Sequence, residues 1–109
     1  MAYDLVLAER LRNYLQAKNI SFAEKKMFGG LAFLVNDKMC VNVSGEKLMC
    51  RFDPALQSAL ENKPGFENMI MKGKVLTGYC YVNPSGFTAN KDFEFWVNHC
   101  LQFNDEAVS

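Results

Sequence analysis

Lys25-Lys26-Met27-Phe28-Gly29-Gly30-Leu31-Ala32-Phe33-Leu34-Val35-Asn36-Asp37-Lys38-Met39-Cys40-Val41-Asn42-Val43-Ser44-Gly45-Glu46-Lys47-Leu48-Met49-Cys50-Arg51 reads as consecutive antiparallel strands. Asn36-Asp37 suits a tight hairpin loop, because both residue types tolerate the left-handed backbone of a type I′ turn. Val35 then faces Lys38, Leu34 faces Met39 and Ala32 faces Val41. Side chains alternate across a strand, so Gly30, Ala32, Leu34, Met39, Val41 and Val43 share one face. A second turn at Ser44-Gly45 pairs Val41 with Leu48 and Met39 with Cys50, which keeps that face apolar and makes it the expected interior. Leu31, Phe33, Val35, Lys38, Cys40, Asn42, Lys47, Met49 and Arg51 fall on the opposite face. There the row Leu31, Phe33, Val35 is expected to meet a partner or a second subunit.

The flanks extend this reading. Tyr3 to about Lys18 carries a helical stripe of Tyr3, Leu7, Leu11, Tyr14, Leu15 and Lys18, with Asn19 suited to end the helix in the left-handed conformation. Phe22–Met27 is a first strand whose Glu24, Lys25 and Lys26 mark an exposed edge. Gly29-Gly30 feeds a strand rather than a helix, so it fits a bend or close backbone approach better than a phosphate loop. Asp53-Pro54 opens a short helix, since aspartate caps free amides and proline suits the first helical position. Phe66–Lys74 reads as an irregular loop or short strand. Val75–Val82 is a strand with Leu76, Gly78, Cys80 and Val82 on one side and Val75, Thr77, Tyr79 and Tyr81 on the other. Asn90 is expected to cap a last helix that buries Phe93, Trp96, Val97, Cys100 and Leu101, with fraying after Phe103.

The run Lys25-Lys26-Met27-Phe28-Gly29-Gly30-Leu31-Ala32-Phe33, followed by Lys38-Met39-Cys40 and Leu48-Met49, resembles the N-terminal domain of the TfoX (Sxy) family. So do Met71-Lys72-Gly73, Gly78-Tyr79-Cys80-Tyr81-Val82 and Phe95-Trp96-Val97. The core motif is Met27, Phe28, Gly29, Gly30. The resemblance spans about Glu24 to Leu101. It implies a small α+β domain linked to regulation of natural competence genes, and it implies no catalytic residue. Longer members add a C-terminal helical domain, and this chain stops at Ser109.

The chain has 109 residues, half of them hydrophobic, which suits one domain over 1–109 with an ordered core over about 3–103. Twelve basic and twelve acidic residues cancel, against the basic excess usual for phosphate-gripping proteins. No signal peptide or membrane-spanning run is evident, so a cytoplasmic location is expected. Cys40, Cys50, Cys80 and Cys100 form no C-x-x-C pair and read as reduced, buried thiols. In the register above Cys40 and Cys50 lie on opposite faces. His99 lacks a second spaced ligand, and no nucleophile–base pair, carboxylate pair or nucleotide-binding motif occurs.

The expectation is therefore an α+β two-layer fold in α-β-β-β-β-α-β-α order, with an antiparallel sheet of five to six strands and helices mainly on one face. Its function is expected to be non-enzymatic: a regulatory protein-interaction module, acting as a homodimer or with an unidentified protein through Leu31, Phe33, Val35, Tyr79 and Tyr81. It needs no cofactor and no metal. The alternative is nucleic-acid binding through a basic patch of Lys25, Lys26, Arg51, Lys72 and Lys74. A small-molecule or redox enzyme stands behind both.

Overall fold

The computed structural model describes residues 3–27 and 29–106; Phe28 of the glycine motif lies outside them. The order is α1 (Leu5–Ala17), β1 (Ala23–Met27), β2 (Gly30–Val35), β3 (Lys38–Ser44), β4 (Lys47–Arg51), a 3-10 turn at Pro54–Leu56 running into α2 (Gln57–Leu60), β5 (Phe66–Met71), β6 (Lys74–Val82), a 3-10 turn at Pro84–Gly86 and α3 (Asn90–Asn104). The six strands form one antiparallel sheet, β1-β2-β3-β4-β6-β5. This is the expected two-layer α+β architecture.

Local chemistry explains the boundaries. Asp4 caps α1 by accepting from the amides of Val6 and Leu7 at 2.8 and 3.2 Å, and Asn19 follows the helix at φ +58°. Asn36 and Asp37 both take positive φ, as a type I′ loop demands. Gly30 is required by close approach, because a Cβ there would stand 2.2 Å from the Val43 carbonyl oxygen. Asp53 caps its turn through the Ala55 amide at 3.0 Å. Arg12 of α1 clips β1 through Glu24, with Nε–Oε2 at 2.6 Å and Nη2–Oε1 at 2.7 Å. Those bonds hold the Glu24 carboxyl below its ordinary pKa.

The register departs from the expected one at two places, the first with large effect. Val35↔Lys38 and Leu34↔Met39 pair as expected, but Phe33 pairs with Val41 rather than with Cys40. Cys40 is an extra residue, a β-bulge, and it reverses the facing of everything beyond it in β3. The next turn lies at Gly45-Glu46 instead of Ser44-Gly45, so Val43 meets Leu48 and Val41 meets Cys50. Helices α1 and α3 therefore cover the face that carries Leu31, Phe33, Val35, Val41, Val43, Leu48, Cys50, Cys80 and Val82. Leu7, Leu11 and Leu15 of α1 and Phe93, Trp96, Val97 and Cys100 of α3 complete that interior. Phe33 is fully buried, while Leu34, assigned to the interior by sequence, is only half-buried.

Three further expectations need correction. Cys40 and Cys50 lie on the same side, because the bulge carries Val41 and its partner Cys50 over to the face of Phe33 and Cys40. All four thiols are buried, and the Cys50 thiol lies against those of Cys80 and Cys100. Asn90 does not cap α3: the cap position is Ala89, and the Asn90 Oδ1 accepts from Arg10 at 3.1 Å. The end of α3 does not fray at Asn104, which is 2% exposed; its Nδ2 donates to the Val35 carbonyl at 3.0 Å and its Oδ1 accepts from Asn36 at 2.9 Å. Phe66–Lys74, read as an irregular loop or short strand, contains the short edge strand β5, whose break in register near Asn68 lies opposite Gly78 at φ +89°. Gln57 closes that break by accepting from the Gly78 amide and donating to Asn68.

Candidate functional site

The side of the sheet turned away from the helices is the candidate site. One row of directly paired residues crosses it from edge to edge: Lys25, Ala32, Asn42, Met49, Tyr81, Glu67. Met39, Met49, Met69, Ile70, Met71, Leu76, Tyr79 and Tyr81 line a concavity of about 310 Å³ on this side. Ile70, Met71 and Val75 at its outer end are among the most exposed large hydrophobic residues described. Leu76 joins the tyrosines because the irregularity at Gly78 breaks the alternation expected for β6.

Two polar features border the concavity. Lys47 bonds Glu67 at 2.7 Å, and Asn83 donates to the other Glu67 oxygen at 3.0 Å; together they hold the Glu67 carboxyl below its usual range. The Lys47 ammonium also lies 5.9 Å from the Tyr81 ring, and the Arg51 guanidinium lies 5.6 Å from the Tyr79 ring. Beneath the methionines sits Asn42, 3% exposed. Its Nδ2 reaches only the sulfurs of Met39 and Met49, at 3.2 and 3.6 Å, and its Oδ1 has no partner.

The sequence-derived site residues divide accordingly. Tyr79 and Tyr81 lie on the open face, half-buried. Leu31, Phe33 and Val35 do not join them: the Cys40 bulge sends them under the helices, so they cannot form a contact surface. The five basic residues do not converge. Lys25 and Lys26 point to opposite faces of β1, while Lys72 and Lys74 lie on the β5–β6 hairpin beyond the other edge, about 24 Å away across six strands at the usual spacing. Arg51 ends β4, in contact with Tyr79 and Phe103. Sequence reasoning missed the methionines and Asn42. The available signal was one amide inside the apolar run Met39-Cys40-Val41-Asn42-Val43, together with methionines at 39, 49, 69 and 71.

Among the described residues, no group of three or more His, Cys, Asp and Glu is arranged to hold a metal ion. No helix described is long and apolar enough to cross a membrane. Burial, and then the nearby Cys100, push the Cys40 thiol far above its usual pKa. Hydrogen bonds with Cys100 and Cys80 and then burial do the same for Cys50. His99 is lowered by burial and by Lys63, its ring against Phe95 at 4.6 Å between centroids.

Helices on one sheet face and an apolar hollow on the other define an open-faced two-layer α+β domain. The sequence model of the TfoX N-terminal domain matches residues 15–104. The chain belongs to that family. No curated protein and no solved structure matches it.

Proposed function

We propose that this chain is a non-enzymatic regulatory module that works by protein contact, in TfoX-like control of transcription, and that its contact surface is the methionine–tyrosine face. The observation that carries the reading is the apolar concavity beside exposed Ile70, Met71 and Val75. Contiguous apolar surface on a small domain is a mark of recognition, and flexible thioethers suit surfaces that adapt to a partner. Tyr79 and Tyr81 add rigid amphipathic area of the kind enriched at interfaces. Leu31, Phe33 and Val35 have left the surface, so self-association no longer has the row on which it rested.

The test is affinity capture from the native cell with the wild-type chain and with Met71→Glu and Tyr81→Glu. Both substitutions put charge on the open face and leave the helix-covered core untouched. Proteins held by the wild type and lost by both variants, with regulation lost in parallel, support the reading. Variants that keep the same proteins and full regulatory function overturn it.

A further inference from the structure

Among the described residues, Asn42 is the one place on the open face where burial and hydrogen bonding conflict. Its amide is enclosed, its donors meet only thioethers, and its carbonyl oxygen meets nothing. A buried acceptor without a partner is costly, because it has given up water and gained nothing in return. Nothing in the sheet requires it, because an apolar side chain of the same size would fill the space. The two sulfurs that roof it belong to cavity-lining Met39 and Met49. Methionine rotates readily and contacts aromatic rings favourably, so displacing those thioethers opens a path from the hollow to Oδ1.

The chemistry of the hollow selects what fits. The orphan atom is an acceptor, so the incoming group must donate. The walls are thioether, aliphatic and aromatic, so a charged donor would be desolvated without a counter-ion. A tyrosine hydroxyl donates but also brings lone pairs, and the donor beside them, Asn42 Nδ2, is already turned to the Met39 and Met49 sulfurs. An indole carries a single donor and no acceptor, and its flat ring suits methionine walls. A second copy of this chain cannot supply it, because the only tryptophan is Trp96, buried in the core at 2% exposure. At the rim Lys74 is paired directly with Met71 and Lys72 occupies the adjoining turn, while Glu67 is already engaged by Lys47 and Asn83. The outer rim therefore favours acidic neighbours.

We propose that Asn42 is the polar anchor of this face and receives the indole N–H of a tryptophan carried by an acidic segment of a different protein. The proposal rests on the protein-contact reading of the face and names what enters it.

The full chain, labelled with ¹³C in its methionine methyl groups, is titrated with acetyl-Glu-Trp-Glu-amide and with the same peptide carrying 1-methyltryptophan, whose ring cannot donate. The expected result is saturable movement of the Met39 and Met49 signals and about tenfold weaker binding of the methylated peptide, one hydrogen bond's worth. Asn42→Leu, with an otherwise unchanged spectrum, is expected to erase that difference. Equal affinity of the two peptides for the wild type, movement mapped away from Met39 and Met49, or no saturable movement overturns the proposal. Free indole binding as tightly as the peptide marks a small-molecule site and also overturns it. If the peptides fail while Met71→Glu still releases the captured proteins, the tryptophan anchor is wrong and the contact surface stands.

Discussion

Two buried asparagines show how much one hydrogen bond partner decides at the residue scale. Asn104 and Asn42 are almost equally enclosed. Asn104 ties the end of α3 to the β2–β3 hairpin by giving a proton to the Val35 carbonyl and taking one from Asn36. Asn42 offers its protons to sulfur and leaves its oxygen unpaired. Substitution by leucine, which matches the volume, should therefore have opposite effects. Asn104→Leu strands the Val35 carbonyl and loosens the hairpin, and is expected to cost about 2 kcal/mol. Asn42→Leu removes an unmet acceptor from an apolar site, and is expected to be neutral or to stabilise by up to about 1 kcal/mol. Urea unfolding of both variants at neutral pH checks the contrast, and equal destabilisation would refute it. Neither role was legible from sequence. Asn104 lies in a polar tail, where fraying is the sound expectation, and its partner carbonyl is 69 residues away.

At the scale of the element, a single bulge separates the legible from the illegible. The first four strands, the hairpin loop at Asn36-Asp37, the capped turn at Asp53-Pro54 and the close approach at Gly30 all follow from local chemistry, and the structure contains each. The facing of β2 against β3 does not, because both registers give an apolar face. In one, Ala32, Leu34, Met39 and Val41 align; in the other, Leu31, Phe33, Val41 and Val43 do. What decides is volume: Leu31 and Phe33 fill the space under α1 and α3, which Gly30 and Ala32 could not, and Cys40 is extruded from the ladder to allow it. Deleting Cys40 should then keep the observed facing, because Leu34↔Met39 and Phe33↔Val41 become consecutive pairs of an unbroken ladder. Cys40→Ala trims a small buried side chain and is expected to cost about 1–2 kcal/mol. Deletion removes the same thiol and is expected to leave thermal unfolding cooperative, with the near-ultraviolet circular dichroism of fixed aromatic packing retained. Loss of that signal on deletion would show that the bulge itself, not side-chain volume, holds the register.

For the whole molecule, the placement of all four thiols inside one interior ties stability to alkalinity. Sequence spacing indicated buried thiols but scattered them over two faces; the bulge unites them beneath α3. Cys40, by burial and then by Cys100, and Cys50, by its bonds with Cys100 and Cys80 and then by burial, hold their protons well above the usual thiol range. In the unfolded chain each ionises near its ordinary pKa of about 8.5. Above that pH the unfolded state binds fewer protons than the folded one, so stability falls as pH rises. Below about pH 8.5 the contribution of these thiols is fully present; above it each removes about 1.4 kcal/mol per pH unit until the folded thiols themselves ionise. Between pH 8 and 9.5 the two together are expected to lower the unfolding free energy by about 2.5 kcal/mol. Urea unfolding under a reductant at the two pH values measures it, with Cys40→Ala/Cys50→Ala as the reference that subtracts lysine and tyrosine titration. A double variant whose stability falls as steeply as the wild type's would show that these thiols are not held protonated by the fold. The same burial keeps them from oxidants while the domain is closed. Thiol reagents at pH 8 should therefore modify the native chain only at the rate at which it opens, and among the described residues the accessible sulfur lies in methionines such as Met71 rather than in the cysteines.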